Sequence, residues 1–195
     1  KKFQNKIKTQ KVFSEKIRVL FAPNPSYEHG YRSKKQQDET IMKIVKELNA
    51  NQSKFEIIVK IHPTSAIKKF YTEIINEINP EIQIFQEGSV EDFFDKTDVI
   101  VSYDHSSVNI FGFLSDIPSV VCNFYGDENK MYSQYNITDE CSMITDLNNK
   151  IISAAEKGIN IKKYNKFIQD LFFKDDGLAS KRIVDAVLKL LKNKF

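Results

Sequence analysis

The 195-residue sequence contains no tryptophan and only two cysteines, Cys122 and Cys141. Two cysteines are too few for a disulfide framework, and they lie too far apart for a zinc site. Each lies in an apolar run, so we expect two buried thiols in a reducing compartment. The sequence also lacks any run of about 18 apolar residues, and its charged beginning contains no apolar segment. Neither a membrane-spanning helix nor a signal peptide is therefore predicted.

Neither sign of charge is in strong excess, because 29 basic and 26 acidic residues give a formal net charge of +3. This value is too small to indicate a nucleic-acid partner or a membrane-surface protein. The beginning of the chain is an exception, since six lysines there are opposed by Glu15 alone. We interpret residues 1–16 as a basic linker or N-terminal helix; the alternative is contact with anionic lipid or a preceding domain. Residues 17–195 then form one domain.

Short β-rich segments alternate along the chain with longer segments of helical periodicity. Strands are predicted at 18–22, 55–61, 81–85, 98–102, 119–124 and 142–145. Helices are predicted at 37–48, 66–78, 90–95, 107–114, 147–156, 162–172 and 178–192. Several strands are apolar almost throughout, which is typical of strands covered on both faces. The pattern predicts an α/β fold, namely a Rossmann-like three-layer αβα sandwich around a mainly parallel sheet.

In such a fold ligands bind beyond the carboxyl ends of the strands, so the residues that follow each strand are the candidates. The fourth predicted strand is followed by Ser106 and Ser107 at the start of an apolar helix. A helix start offers unpaired N–H groups and the positive end of the helix dipole, and two hydroxyls there can add hydrogen bonds to a phosphate. The alternative is that one serine only caps the helix.

His62 follows the second predicted strand and is followed by Pro63. The proline disfavours helical geometry at the histidine and holds it at the edge of the sheet. There an imidazole can bind a phosphate or donate a proton to a leaving phosphate oxygen. A purely structural histidine is the alternative.

Three segments in this order resemble the C-terminal half of the CDP-glycerol glycerophosphotransferase family. They are KIHP (60–63), DVIVSYDHSSVNIFGFLSDIPSVVCNFYGD (98–127) and KDDGLASKRIVDAVLKLL (174–191). The segment VLFAPNPSYEHGYR (19–32) also resembles the family's YAPTxR opening. The histidine-proline and serine-serine pairs recur in bacterial GT-B sialyltransferases and capsule Kdo transferases, which use CMP-linked donors. The resemblance runs from Arg18 to the C-terminus and implies one half of a GT-B fold.

The resemblance implies roles for individual residues. His62 matches the family histidine that contacts the donor phosphate and assists its departure, and Pro63 completes that motif. Ser106 and Ser107 match the serines that bind donor phosphate. Further donor-site positions are implied at Pro23, Asn24, Arg32 and Glu87, the last near the base or ribose. Structural positions at the last helix are implied at Asp176, Gly177, Ser180 and Arg182.

Two features depart from the family pattern. His105 stands before the serine pair, where it is either a second phosphate contact or a loop residue. The loop before Arg32 is also longer than in the family. A GT-B enzyme needs two Rossmann-like domains, so we expect that a further N-terminal domain supplies the acceptor site and catalytic base.

The sequence therefore predicts the donor-binding domain of a transferase. We expect this transferase in the cytoplasm, either free or peripheral at the inner face of the cell membrane. It would build a cell-surface polymer from a CDP-, CMP- or UDP-linked donor. No cofactor is expected, because the nucleotide is the substrate, and no metal is required by the motifs, since Asp-x-Asp is absent. The alternatives are a UDP-sugar 2-epimerase-like domain and a nucleotide-binding module without catalysis.

Overall fold

A computed structural model describes residues 16–63, 68–104, 106–127, 134–174 and 176–192. The described chain forms a six-stranded sheet in the order β3-β2-β1-β4-β5-β6, and every neighbouring pair is parallel. The strands are β1 (Ile17–Phe21), β2 (Phe55–Lys60), β3 (Gln83–Phe85), β4 (Val99–Tyr103), β5 (Ser119–Cys122) and β6 (Asp139–Cys141). The predicted Rossmann-like α/β fold is confirmed.

Helices cover both faces of this sheet. They are α1 (Lys34–Ala50), α2 (Lys68–Ile78), α3 (Ser107–Leu114), α4 (Leu147–Lys157), α5 (Ile161–Leu171) and α6 (Ala179–Lys192). Two 3₁₀ segments, Val90–Lys96 and Ile144–Asp146, complete the described elements. The predicted helices at 107–114 and 147–156 agree with α3 and α4 to within one residue.

The sixth predicted strand is wrong in position. The structure forms β6 at Asp139–Cys141, and the apolar residue Ile144 belongs to the following 3₁₀ turn. In β6 only Cys141 is buried, because the strand lies at the edge of the sheet and its other two residues are acidic. A rule that reads apolar runs as strands therefore selects the segment after it.

Alternate residues of the central strands pack into different layers. Val19 and Phe21 of β1 pack with α1, α2 and α4, whereas Leu20 packs with Ile100 and Val108 on the opposite face. This alternation follows from the two-residue period of a strand and produces the three-layer sandwich. A smaller cluster around Phe113 and Phe167 joins α3 to α5. Its buried members among the described residues are Phe113, Tyr135, Ile137, Phe167 and Ile168.

Both cysteines are buried free thiols, as predicted. Cys122 and Cys141 are directly paired in register on β5 and β6. The hydrogen bond with Cys141, together with burial, holds the pKa of the Cys122 thiol well above its ordinary value. The sulfur of Cys141 donates to the carbonyl of Met143 at 3.0 Å.

The last helix differs from the others because none of its residues is buried. Its apolar face is exposed, with Ile183 at 65% and Leu190 at 69% of full exposure. Within the described ranges, no helix combines the length and apolar character needed to cross a membrane.

Candidate functional site

The strand order turns back between β1 and β4. From β1 the chain continues to β2 and β3 on one side, and it then returns to add β4, β5 and β6 on the other. The helices that follow β1 and β4 pack on opposite faces of the sheet, and in such folds a crevice is expected at this carboxyl edge. The crevice is bordered by the first loop, residues 22–33, and by the start of α3.

Ser106 is the N-cap of α3, and its Oγ accepts a hydrogen bond from the N–H of Val108 at 3.4 Å. Ser107 is the first helical residue, and it is exposed. The helix is tied to β4 by Asn109, which exchanges hydrogen bonds with the Ser102 hydroxyl at 3.0 and 3.2 Å. Both partners of this tie are fully buried. The positive end of α3 and two hydroxyls thus lie at the crevice, an arrangement suited to an anion.

His62 is exposed at the same edge, two residues after the end of β2. The strands that carry His62 and the serine pair both neighbour β1. Adjacent strands lie about 4.8 Å apart, so β2 and β4 are separated by roughly 10 Å. The predicted His62 and serine groups are therefore brought to one edge of the sheet, and their contact with the same phosphate stays a prediction.

The pKa of His62 is lowered, first by partial burial and then by the nearby His29 and Lys60. Glu28 opposes this shift. The imidazole of His62 is thus biased toward its neutral form by its surroundings. A bound anion would act in the opposite direction, because negative charge favours the imidazolium form.

His29 comes from the first loop and faces His62, with ring centroids 6.2 Å apart and ring planes 79° apart. The loop folds back through hydrogen bonds from the N–H of His29 to Pro25 O at 3.0 Å and from Gly30 N–H to Tyr27 O at 2.9 Å. Gly30 has φ +76°, a left-handed conformation that favours glycine. Two exposed imidazoles therefore meet at this edge.

Lys60 lies at the end of β2, close to His62. Its residue is only 4% exposed, and its ammonium donates to Gln86 O at 2.7 Å and to Ile61 O at 3.1 Å. Burial lowers the pKa of Lys60, and the nearby Asp92 carboxylate partly offsets this effect. Lys60 thus contributes positive charge below the edge of the sheet.

Arg32 and Asp104 join the first loop to the end of β4. The Arg32 guanidinium donates to Asp104 at 3.1 Å, pairs with Asp127 and stacks over the Tyr125 ring at 4.3 Å. Asp104 also accepts from the Ser26 hydroxyl at 2.7 Å, and its φ of +50° places it in the left-handed region. The charge of Arg32 is therefore balanced by two carboxylates in this structure, and phosphate binding by Arg32 stays a prediction.

Gln37, in the first turn of α1, is a buried hydrogen-bonding centre of the first loop. Its Oε1 accepts from Tyr27 N–H at 2.8 Å and from the Tyr103 hydroxyl at 2.9 Å. Its Nε2 donates to Glu28 at 3.1 Å and to the Tyr71 hydroxyl at 2.7 Å. Burial first, and then the nearby Tyr71, raise the pKa of Tyr103 far above its ordinary range, so that it remains a neutral donor. The loop is thereby fixed to β4 and α2.

The remaining predicted donor-site residues also follow strands of this edge. Pro23 is buried, and the carbonyl of Asn24 contacts the Tyr103 hydroxyl. Pro63 and Glu87 are exposed, and the Pro63 carbonyl accepts from Gln86 at 3.4 Å. His105 lies outside the described residues. These donor-site roles stay predictions.

The four predicted structural residues lie around the start of α6. Asp176 accepts from the N–H of Leu178 at 2.9 Å and from Arg182 at 2.7 and 2.8 Å. The hydrogen bond from Arg182, and then the one from the Leu178 N–H, lower the pKa of Asp176. Gly177 has φ +69°, and Ser180 is exposed. Fixing of the helix against the sheet by these residues stays a prediction.

Four residues of the site were not identified from sequence: His29, Gln37, Lys60 and Asp104. Gln37 had a usable signal, since it lies four residues before Ile41 on the apolar face of α1 and is therefore a buried polar group. Asp104 follows a fully buried strand directly, which is a second signal. His29 and Lys60 had none, because only the folded loop brings them next to His62.

No protein-family model matches the chain, and no curated protein matches it in sequence. Solved structures do match. The S. aureus MnaA–UDP co-structure gives a TM-score of 0.59 at 16% identity, covering 91% of this chain and 46% of that one. A putative UDP-N-acetylglucosamine 2-epimerase from Listeria monocytogenes gives 0.58 at 14% identity, covering 92% and 47%. The spinosyn rhamnosyltransferase SpnG, complexed with spinosyn aglycone, gives 0.52 at 11% identity, covering 78% and 42%.

These likenesses concern the fold, because every identity is low. They agree with a Rossmann-like domain of the kind expected for one half of a GT-B protein. The chain spans about half the length of the first two structures it matches. Membership of the CDP-glycerol glycerophosphotransferase family is not established by them and stays a proposal.

Proposed function

We propose that the chain is the donor-binding domain of a transferase that builds a cell-surface polysaccharide or teichoic-acid-like polymer. The donor is nucleotide-activated, with CDP-glycerol as the first candidate and CMP- or UDP-linked compounds next. The proposal depends above all on the switch-point crevice, where Ser106 and Ser107 begin a helix of eight residues. The nucleotide is the substrate, and no separate cofactor is proposed.

In the proposed complex the donor diphosphate lies at the start of α3. The N–H groups of the first turn and the hydroxyls of Ser106 and Ser107 supply hydrogen bonds, and the helix dipole supplies positive potential. His62 approaches from β2 and stabilises the charge that develops on the leaving phosphate, by hydrogen bonding or by proton donation. Fixed dipoles and an imidazole supply this stabilisation in the proposal, so no metal ion takes part.

The proposed activity needs a second domain. Since the first two matched structures are about twice as long as this chain, the acceptor site and the catalytic base are assigned to an N-terminal domain on the other side of the cleft. We place the complete enzyme in the cytoplasm, at the inner face of the membrane where cell-surface polymers are assembled. On this proposal the domain alone binds donor and turns nothing over.

A UDP-sugar 2-epimerase-like function is the second candidate. It is favoured by two of the likenesses, one to a UDP complex and the other to a putative UDP-N-acetylglucosamine 2-epimerase. A nucleotide-binding module without catalysis is the third. The candidates differ in the preferred base and in the product that the complete protein forms.

The test is a thermal-shift and calorimetric panel of CDP, CMP, UDP, GDP, CDP-glycerol and UDP-N-acetylglucosamine. A cytidine preference supports the transferase, and a uridine preference together with a 2-epimerised sugar from the complete protein supports the second candidate. Hydrogen bonds to charged groups contribute about 1.5–3 kcal/mol, so Ser106→Ala/Ser107→Ala should weaken binding at least about tenfold.

Ser115→Ala is the matched control, because Ser115 is an exposed serine at the opposite end of the same helix. His62→Ala should weaken binding as the serine pair does. If no nucleotide stabilises the folded wild-type domain, the donor-binding assignment is wrong.

A further inference from the structure

We propose that His29 is a second phosphate ligand of the crevice and that His29 and His62 together bind one phosphoryl group of the donor. The inference rests on the proposed nucleotide function and deepens it, because it adds a group to which the family resemblance assigns no role. It follows from a contact between two loops, one after β1 and one after β2.

The first argument is geometric. The two rings lie edge to face with centroids 6.2 Å apart, and both histidines are exposed at the carboxyl edge of the sheet. An N–H donor reaches a phosphate oxygen at about 2.7–2.9 Å. Two imidazoles at this spacing can therefore direct one N–H each at a single phosphoryl group. A hydrophobic pairing of the rings would instead be expected to bury them.

The second argument is that the loop holds His29 in place before any ligand binds. The N–H of His29 is bonded to Pro25 O at 3.0 Å, and Gly30 closes the turn by bonding Tyr27 O at 2.9 Å. Gln37 fixes the preceding residues through Tyr27 N–H and the Glu28 carboxylate. Because the loop is already ordered around His29, binding of a phosphoryl group costs little additional conformational entropy of the protein.

The third argument is the balance of charge around the pair. The buried ammonium of Lys60 and the nearby His29 both favour the neutral form of His62. Glu28 is the opposing carboxylate, and its Oε1 is buried without a hydrogen-bond partner in the described structure. Tyr31 packs edge-on against His29 at 6.0 Å and adds no charge. The site without ligand thus holds the Lys60 charge, opposed by Glu28, beside a His62 imidazole that is biased toward its neutral form.

An anion reverses that balance. A phosphoryl group favours the imidazolium form of a histidine that contacts it, so binding should take up protons. CDP-glycerol and UDP-N-acetylglucosamine are suitable probes, because their diphosphate diesters keep a constant charge between pH 6 and pH 8. Affinity should therefore be higher at pH 6 than at pH 8, and the difference should come from the protein.

The experiment is isothermal titration of both probes at the two pH values, in buffers of different ionisation enthalpy, with the wild type and three variants. His29→Ala should weaken binding about tenfold or more at pH 6 and should reduce the proton uptake. His29→Gln keeps a neutral donor, so it should restore much of the affinity at pH 8 but not the pH dependence. Ser115→Ala should change neither quantity. Urea unfolding confirms that each variant is folded.

The outcomes separate the two proposals. One outcome is that the wild type binds a probe and Ser106→Ala/Ser107→Ala weakens this binding, but His29→Ala leaves affinity and proton uptake unchanged. The His29 inference is then wrong and the proposed function stands. Equal losses for His29→Gln at both pH values would indicate a structural role and would also overturn the inference. If the folded wild type binds neither probe at either pH, both proposals fail.

Discussion

Ser106 can serve the fold and a ligand with the same hydroxyl. As N-cap it uses an oxygen lone pair to accept from Val108 N–H. A hydroxyl that accepts in this way keeps its own hydrogen for donation, so capping does not prevent a hydrogen bond to phosphate. Ser107 has no capping role, because it is already the first residue of the helix. The structural and ligand-binding interpretations of the serine pair are therefore compatible. Ser106 can serve both purposes, whereas Ser107 can serve only the ligand.

Single substitutions of the pair should separate these demands. Ser106→Ala should lower the free energy of unfolding by about 0.5–2 kcal/mol, because it removes a helix cap. Ser107→Ala should leave stability within about 0.5 kcal/mol of the wild type, since it changes an exposed side chain. Urea unfolding measures both effects. A loss of stability in Ser107→Ala as large as that in Ser106→Ala would contradict this division.

The lowered pKa of His62 makes the stability of the ligand-free domain depend on pH. Because the folded pKa lies below the unfolded value of about 6.5, the unfolded chain binds more protons in that window. The stabilisation from this group is thus complete above the unfolded pKa and is lost as the pH falls through the folded pKa. His62→Gln should flatten the fall in thermal midpoint below about pH 6.5, and NMR titration should give His62 a higher pKa in His29→Ala. A His62 pKa at or above the ordinary value would contradict the proposed charge balance.

At the scale of elements, α3 must approach β4 closely, and Gly112 permits this. A Cβ at Gly112 would lie 2.3 Å from Ile100 Cδ1 and 3.4 Å from the Ile117 carbonyl. The first contact is with the flexible end of a side chain, whereas the second is with backbone. Any added group therefore displaces Ile100 or shifts the helix away from the sheet. The start of α3 carries the serine pair, so the fit at Gly112 also positions the candidate site.

Gly112→Ala tests this close approach. The alanine favours the helix by about 1 kcal/mol, but overpacking of a filled core costs about 1–3 kcal/mol. We expect a net loss of stability of up to about 2 kcal/mol, measured by urea unfolding. Gly112→Ala combined with Ile100→Val should recover part of this loss, because valine lacks the atom that clashes. If Gly112→Ala stabilises the domain, the close approach does not limit this helix.

The elements that the sequence predicted well are those whose own residues determine them. The start of α3 follows from Ser106 and the apolar run behind it, and β2 follows from a continuous apolar segment. The edge strand β6 was misplaced, because its pairing with β5 comes from tertiary packing rather than from an apolar pattern. At the candidate site, the position of His62 and the serine pair at the carboxyl edge could be predicted from their place after strands, and their roles stay predictions. The position of His29 could not, because its relation to His62 depends on the path of a loop that sequence patterns do not specify.

At the scale of the whole molecule, the two edges of the sheet differ: the amino edge joins two strands, and the carboxyl edge carries the candidate site. At the amino edge Arg18 and Asp98 form a bidentate pair, with Nε–Oδ2 at 3.0 Å and Nη2–Oδ1 at 2.9 Å, and their backbones bond each other as well. This pair fixes β1 to β4 directly opposite the crevice. At the carboxyl edge the same two strands diverge into loops that carry exposed histidines and serines. A firmly joined amino edge thus lets the loops at the other edge vary in function without loosening the sheet.

The last helix, α6, is amphipathic but contributes no residue to the three buried core clusters of the described chain. Two isoleucines in helices make a matched pair: Ile75 of α2 is fully buried, whereas Ile183 of α6 is 65% exposed. Ile75→Ala should cost about 2–5 kcal/mol, since it leaves a cavity. Ile183→Ala should change the free energy of unfolding by less than about 0.5 kcal/mol, because an exposed side chain loses little contact. Urea unfolding of this chain compares the two directly. Similar losses in both variants would mean that the apolar face of α6 is covered within this chain, and the assignment of α6 as a helix outside the core would then be wrong.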